Sequence, residues 1–250
     1  EIKEKIIAHE IVDLDKDGWD ENTNLPIGME SNVDGALFET KDYGNNELLI
    51  TDYLGEKLDI LIPTRIEGKR VVAIDEDAFV DVKVPLNSVT IPQGVREIGE
   101  KAFEYNEIVF LDLPNTIEHI GDKAFTNNNI EAVKLPNKLR TVQESIFFGN
   151  EIEHLEIHDS IVSIGQNAFG ANNLKTLYIP NSVKEISRYA FMWNDIKEIT
   201  LGENINYIGD EAFTGNEIKE LILPSKMNYI GEDAFRESKF VWLAIFSISA

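Results

Sequence analysis

The apolar positions of this 250-residue chain recur with a period of 22 residues. An Ala-Phe pair marks the period, and Ile146 replaces Ala in one copy. A fixed period of this length is typical of a solenoid, in which each repeat forms one coil and packs only on its neighbours. The marking residues are Phe79, Phe103, Phe125, Phe147, Phe169, Phe191, Phe213 and Phe235.

Each repeat contains a short L-x-L segment in which apolar and variable positions alternate. Leu177 and Ile179 are one example, and Leu221 and Leu223 are another. Such alternation predicts a strand with one buried face. A strand this short is stable only when it stacks in register on its neighbours, so the pattern predicts a parallel sheet along the solenoid. A Pro often follows the segment, and we expect it to end the strand because it lacks a donor.

Three further columns are predicted to be structural. The Phe rings should stack about 4.8 Å apart, which is the spacing of neighbouring strands. The recurring Asn should hydrogen-bond backbone groups of its own and the next coil, because buried polar groups need partners. The recurring Gly should adopt backbone angles that a side chain would forbid. The Asn column is Asn106, Asn128, Asn150, Asn172, Asn194 and Asn216, and the Gly column is Gly99, Gly121, Gly165, Gly209 and Gly231.

The repeat resembles the BspA-like, or Treponema pallidum type, leucine-rich repeats. VTIPQGVREIGEKAF at 89–103 and LYIPNSVKEISRYAF at 177–191 fit that family's unit, and residues 49–79 resemble its opening segment. Asn replaces the family's Cys, and the unit is one residue shorter. Over about 48–246 the resemblance implies an α/β-type leucine-rich-repeat solenoid of about eight repeats. We expect a right-handed coil in residues 37–250, with a parallel β-sheet on its concave face and a hairpin cap near 37–62.

The resemblance also implies a location and a function. Members of this family are mostly found on bacterial surfaces, so an extracellular or cell-surface protein is expected. Adhesion or binding of other proteins, including host extracellular proteins, is implied rather than catalysis, and no cofactor is required. A structural spacer that presents another domain is the alternative. The sequence contains no phosphate-binding Gly loop and no H-E-x-x-H motif, which disfavours an enzyme.

Candidate binding residues are the variable positions of the L-x-L segments, because specificity is expected where side chains vary inside a constant frame. Ordinary scattered surface hydrophobes are the alternative interpretation. His154, Glu156 and His158 are placed on one strand face, but two His four residues apart are separated by about 13 Å and cannot share one zinc ion. One His–Glu pair could bind zinc with help from a neighbouring strand, and a structural or incidental role is the favoured interpretation. The candidates are Phe110, Asp112, Lys134, His154, Glu156, Thr176, Tyr178, Glu198, Glu220, Ile222 and Trp242.

The composition disfavours several classes of partner and excludes cysteine chemistry. The net charge is −22, which disfavours nucleic acid and anionic membrane surfaces. No run approaches the roughly 18 apolar residues that a membrane span needs, so we expect no membrane insertion. The absence of Cys excludes disulfides and thiolate metal sites.

The two ends of the chain raise separate hypotheses. Asp13, Asp15, Asp17 and Glu21 lie in DLDKDGWDENTN, which matches the start of a calcium loop but lacks its final Glu. We interpret 1–36 as an acidic segment and linker, and leave open a calcium site, with calcium-dependent assembly, or a solvated acidic stretch. Glu1 is neither an initiator Met nor part of a signal-peptide pattern, so we take the chain as a mature fragment. The apolar residues 240–250 indicate either truncation or self-association through the C-terminal edge.

Overall fold

Strands, most of them short, make up the regular structure of the part of the chain that the structure describes. The computed structural model describes residues 37–240 and the backbone of 242–245, and in that part of the chain there is no α-helix, hence none that could cross a membrane. The strands are β1 (Phe38–Gly44), β2 (Glu47–Tyr53), β3 (Asp59–Leu61), β4 (Arg65–Ile66), β5 (Lys69–Ile74), β6 (Ser88–Thr90), β7 (Glu97–Ile98), β8 (Phe110–Asp112), β9 (His119–Ile120), β10 (Ala132–Lys134), β11 (Thr141–Val142), β12 (His154–Glu156), β13 (Ser163–Ile164), β14 (Thr176–Tyr178), β15 (Glu185–Ile186), β16 (Glu198–Thr200), β17 (Tyr207–Ile208), β18 (Glu220–Leu223), β19 (Tyr229–Ile230) and β20 (Trp242–Ile245).

Several predictions concern residues outside the described part. The acidic segment 1–36 lies there, as do residue 241 and residues 246–250. The calcium hypothesis on Asp13, Asp15, Asp17 and Glu21 therefore stays a prediction. The domain boundary at 36/37 and self-association through the C-terminal edge also stay predictions.

The L-x-L segments form the first parallel sheet, as their alternation predicts. Thr176, Leu177 and Tyr178 pair with the residues 22 positions later, and the same register recurs in the other coils. The hydrogen-bonded order is β3-β6-β8, then β10-β12, then β14-β16-β18-β20. The predicted solenoid, with about eight turns and a spacing of roughly 22 residues, is confirmed. We call this assembly the L-x-L sheet.

A second sheet, which the sequence analysis missed, is formed in the repeats by parallel two-residue strands just before the Gly column. At its N-terminal end the sheet also contains the longer strands β1, β2 and β5, and there the pairs β1–β2 and β4–β5 are antiparallel. The order is β1-β2-β5-β7-β9, with β4 beside β5, and it continues as β11-β13-β15-β17-β19. The second residue of most of the two-residue strands, such as Ile98, Ile164 or Ile208, is fully buried in the same core as the L-x-L leucines. The described coils therefore have strands and turns in the places where an α/β-type repeat would carry a helix.

The predicted stack of Phe rings runs through the core. Seven of the rings, from Phe79 to Phe213, are completely buried. Neighbouring ring centroids are 4.5–5.7 Å apart, and the ring planes lie within 17° of parallel. Tyr53 of the N-terminal hairpin stacks on Phe79 at 5.7 Å, so the hairpin continues the stack and covers its end.

The N-terminal hairpin is also joined to the first coils by charge. Glu47 in β2 is buried, and its carboxylate accepts hydrogen bonds from Arg70 and Arg96, each with a shortest distance of 2.7 Å. Charge-assisted bonds to two guanidinium groups satisfy a carboxylate that would otherwise be costly to bury. These bonds hold the hairpin against Arg70 in β5 and against Arg96, which directly precedes β7.

Close packing of backbones accounts for the five Gly of the column, and the prediction of unusual backbone angles at these positions is wrong. None of the five residues has a positive φ. A Cβ on Gly209 would lie 2.5 Å from the backbone nitrogen of Arg188 in the preceding coil, and Gly121 has a similar contact. The left-handed backbone positions lie two residues before and two after each Phe, where residues such as Lys123, Asn127 and Trp193 have φ of 54–59°.

Replacing Gly209 with Ala should therefore destabilise the solenoid by about 2 kcal/mol, because the added methyl group forces two backbones apart. Ser187 is the matched control, since it occupies the same column one coil earlier and already carries a Cβ. Ser187→Ala should change the free energy of unfolding by less than about 0.5 kcal/mol. Urea denaturation followed by circular dichroism measures both, and equal effects would show that close packing does not select Gly here.

Candidate binding face

The outer face of the L-x-L sheet carries the predicted binding residues. In each three-residue strand the central side chain points into the core, and the first and third point away from it. The outward-facing candidates in the described coils are exposed, namely Phe110, Asp112, Lys134, His154, Glu156, Thr176, Tyr178, Glu198, Glu220 and Ile222. For Trp242 only the backbone is described, and it pairs with Glu220.

Six of the outward residues form a compact array on three neighbouring strands. We call it the β14–β18 patch, and it consists of Thr176, Tyr178, Glu198, Thr200, Glu220 and Ile222. The first residues of the strands form one row and the third residues form another, because the coils stack in register. Adjacent strands of a parallel sheet are about 4.8 Å apart, and the two outward residues of one strand, hence the two rows, are about 6.6 Å apart. Tyr178 and Ile222 are 61% and 50% exposed, which is high for large apolar side chains.

The outward residues nearer the N-terminal end have a different character. Lys134 and Glu156 lie in register on neighbouring strands and form an ion pair with Nζ and Oε1 3.7 Å apart. Phe110 is 39% exposed on β8, and His154 lies on β12. This part of the face combines both signs of charge with one aromatic ring.

His158 does not lie on the strand face with His154 and Glu156, so that part of the sequence prediction is wrong. Strand β12 ends at Glu156, and His158 occupies the position where most other coils have Pro. Its Nδ1 accepts a hydrogen bond from the backbone N–H of Ser160 at 3.2 Å. His158 therefore shapes the turn that follows the strand.

The Asn column is buried and has a structural role. The amide nitrogen of Asn128 donates to the carbonyl of Phe103 at 2.9 Å and to that of Phe125 at 3.2 Å, and its oxygen accepts from the Ile108 N–H at 3.1 Å. The bonds thus run to its own coil and to the preceding coil, and the prediction of bonds to the next coil is wrong in direction. These side chains are satisfied by backbone groups and do not face a ligand.

Several exposed aromatic residues lie away from the L-x-L sheet, and the sequence analysis did not single them out. Tyr105 and Trp193 occupy the left-handed position two residues after Phe. Tyr207 and Tyr229 stack on each other on the second sheet with centroids 4.9 Å apart. The neighbouring Asp210 carboxylate raises the pKa of the Tyr229 hydroxyl. Extending the column comparison to the positions two after and six before Phe would have found all four.

Metal-ligating side chains do not converge in the described coils. No group of three or more His, Asp or Glu residues in that part of the chain is arranged to hold a metal ion. The acidic side chains there are distributed along the columns, where many pair with Lys or Arg of the same or a neighbouring coil.

The fold and its face define a leucine-rich-repeat solenoid with an exposed, variable sheet surface. The family model of the BspA type leucine rich repeat region matches residues 64–171 and 118–241, in six copies. The chain belongs to the BspA-type leucine-rich-repeat family. No curated protein has a matching sequence.

Two solved structures are similar to this chain in fold. The leucine-rich-repeat protein TpLRR of T. pallidum has a TM-score of 0.63 and 22% identity, with 79% of this chain and 96% of that protein covered. A leucine-rich-repeat protein from Bacteroides ovatus has a TM-score of 0.60 and 21% identity, with 81% and 61% covered. At these identities the similarity concerns the fold and does not extend to the binding residues.

Proposed function

We propose that this chain is a non-catalytic protein-binding module of a secreted or cell-surface bacterial protein, and that it binds a host extracellular protein through the outer face of the L-x-L sheet. The family supports the general part of this proposal, since leucine-rich repeats of this bacterial type are protein-interaction scaffolds. The location and the host partner are the finer part of the proposal, and the surface-type character of the family supports them.

The observation that carries the proposal is the contrast between the two sides of each short strand. Central residues such as Val133, Leu177 and Leu221 are buried and nearly constant in type, because they build the core. Outward residues change from coil to coil, and among them Phe110, Tyr178 and Ile222 are large and exposed. Large apolar and aromatic side chains in such positions are the usual anchors of protein interfaces.

Serine substitutions on the face test the proposal. The triple variant Phe110→Ser, Tyr178→Ser and Ile222→Ser removes the exposed anchors without touching the core. Binding of the parent to a panel of purified host extracellular-matrix and plasma proteins is measured by surface plasmon resonance. We expect at least one panel member to bind the parent and to bind the triple variant at least tenfold more weakly, a loss of about 1.4 kcal/mol or more.

A matched control removes three exposed aromatic residues from other surfaces. The variant Tyr105→Ser, Trp193→Ser and Tyr207→Ser loses a comparable apolar area, but none of these residues lies on the L-x-L sheet. It should keep parental affinity. If the parent binds and both variants bind equally well, the interface lies elsewhere. If the parent binds no panel protein, the alternative of a structural spacer is favoured.

A further inference from the structure

We propose that the β14–β18 patch binds a basic segment of its protein partner, with Arg or Lys side chains against Glu198 and Glu220 and an apolar side chain against Tyr178 and Ile222. This proposal rests on the proposed function and adds the chemistry of the partner. It concerns one part of the face, where the register places negative charges and exposed apolar side chains together.

The two carboxylates of the patch lie next to each other. Glu198 on β16 is the register partner of Glu220 on β18, and both side chains are exposed. Neighbouring strands of the sheet are about 4.8 Å apart, and like charges directly opposite each other on a sheet are destabilising. A cation supplied by a partner would remove that repulsion, so the pair favours a positively charged occupant.

The chain itself supplies no ion pair to these carboxylates within the described coils. Three lysines precede the strands of the patch, but they lie towards other acids. Lys175 pairs with Glu153 at 3.1 Å, and Lys197 lies 3.8 Å from Glu217. The pKa of Glu217 is lowered chiefly by its hydrogen bond to Lys239, with Lys197 and Lys219 contributing. The negative charge of Glu198 and Glu220 is thus left available to a partner.

The second row of the patch gives the occupant its apolar part. Tyr178 and Ile222 lie in this row on either side of Thr200, about two strand spacings apart, or roughly 10 Å. The row is about 6.6 Å from the carboxylates, because residues two apart on a strand are separated by that distance. A segment that fits both rows carries positive and apolar side chains close together.

The pair Lys134 and Glu156, nearer the N-terminal end of the face, differs in charge from the β14–β18 patch. There Lys134 already neutralises Glu156 across neighbouring strands. In the β14–β18 patch, by contrast, two carboxylates without an ion pair in the described coils lie beside exposed apolar side chains. The net charge of −22 attracts basic partners over a long range to the whole molecule. This general attraction does not select a site, so the experiment has to separate it from local binding at the β14–β18 patch.

The test uses three synthetic peptides in which Arg alternates with Leu, Arg alternates with Ser, or Glu alternates with Leu. Their binding to the whole chain is measured by isothermal titration calorimetry in about 0.15 M salt, where charges farther apart than about 8 Å are largely screened. We expect the parent to bind the Arg-Leu peptide more tightly than the Arg-Ser peptide, and the Glu-Leu peptide least. The double variant Glu198→Gln, Glu220→Gln should bind Arg-Leu about five- to tenfold more weakly.

A control with the same change in net charge separates the patch from general attraction. Glu185→Gln with Glu232→Gln also removes two exposed carboxylates, but from outside the L-x-L sheet. Its affinity for the Arg-Leu peptide should fall less than twofold. Equal losses in the two double variants would overturn the proposal, because binding would then follow net charge alone. No measurable binding of the Arg-Leu peptide to the parent would overturn it as well.

The variant Tyr178→Ser with Ile222→Ser distinguishes this proposal from the wider one. If it loses affinity for a host protein identified by the panel while the glutamine pair keeps parental affinity, the face binds but the partner is not basic at this patch. The proposed function then stands and the present inference fails. If both variants lose affinity for that protein and the off-face pair does not, both proposals are supported.

Discussion

Replacing Phe169 with Ala is expected to lower the free energy of unfolding by about 4 kcal/mol, the largest effect of any single change considered for this chain. Phe169 is completely buried, and its ring stacks between those of Phe147 and Phe191 at 5.7 and 5.4 Å. Removing it leaves a cavity that the neighbouring rings cannot fill, because each is fixed in the register of its own coil. The loss therefore combines the transfer free energy of the ring with a cavity term.

Phe235→Ala is the matched control for that prediction. Phe235 belongs to the same column and stacks on Phe213 at 5.2 Å, but it is only half-buried. Its removal should cost about half as much, since less apolar surface is returned to water. Chemical denaturation monitored by circular dichroism gives both values. If the two substitutions cost the same, the continuous stack is not the source of the stability.

Replacing Asn128 with Ala should cost about 3 kcal/mol, although it removes only a small polar side chain. The Ile108 N–H loses its side-chain partner in the interior, and an unsatisfied buried group costs about 1–3 kcal/mol. The hydrogen bonds to the Phe103 and Phe125 carbonyls are also lost, at about 1 kcal/mol each, although Asn106 and Asn150 still donate to these carbonyls. Native-state hydrogen exchange gives a local measurement, because the Ile108 amide should exchange markedly faster in the variant.

Asn129 supplies the control at the adjacent position. It is exposed, and Asn129→Ala should change the free energy of unfolding by less than about 0.5 kcal/mol. Comparable losses in the two alanine variants would contradict a role for the buried column in joining the coils.

Aspartate at the same two positions adds a dependence on pH. The carboxyl group introduced by Asn128→Asp would face carbonyl oxygens, so its pKa should be raised in the folded state. The folded state then binds more protons than the unfolded state, and the stability of this variant should fall as the pH rises above about 4. The variant Asn129→Asp should show no such fall relative to the parent.

The repeat could be predicted from the sequence because each of its columns has a separate physical reason. Leu177 and Ile179 alternate with exposed residues, which indicates a strand, and the strand is there. Phe125 recurs at a fixed spacing between constant neighbours, which indicates stacking, and the stack is there. Asn128 is a polar residue at a constant position, and its burial with backbone partners follows from the need to satisfy it.

The second sheet could not be predicted in the same way. A strand such as Tyr207–Ile208 has two residues, and two residues show no alternation. The role of Gly209 was predicted incorrectly because sequence spacing does not distinguish a positive φ from a close approach of two backbones. The position of His158 was incorrect because its coil lacks the Pro that marks the end of the strand elsewhere.

The positions of the candidate face could be predicted from the sequence. Which of its residues are neighbours, and which of them form ion pairs, became clear only from the structure. Glu198 and Glu220 are 22 residues apart in sequence, and only the register shows that they are neighbours. The sequence likewise does not show that Lys197 lies near Glu217 and that Lys134 lies near Glu156. These pairings decide which part of the face keeps unneutralised charge.

The central claim is that constant positions build the core and variable outward positions bind the partner. One affinity measurement tests it most directly. The dissociation constant of the host protein selected by the panel is measured for the parent and for the triple variant Phe110→Ser, Tyr178→Ser, Ile222→Ser, after both have been shown to unfold at similar temperatures. The predicted result is at least a tenfold weaker complex for the variant. An unchanged dissociation constant would contradict the assignment of binding to the outer face of the L-x-L sheet.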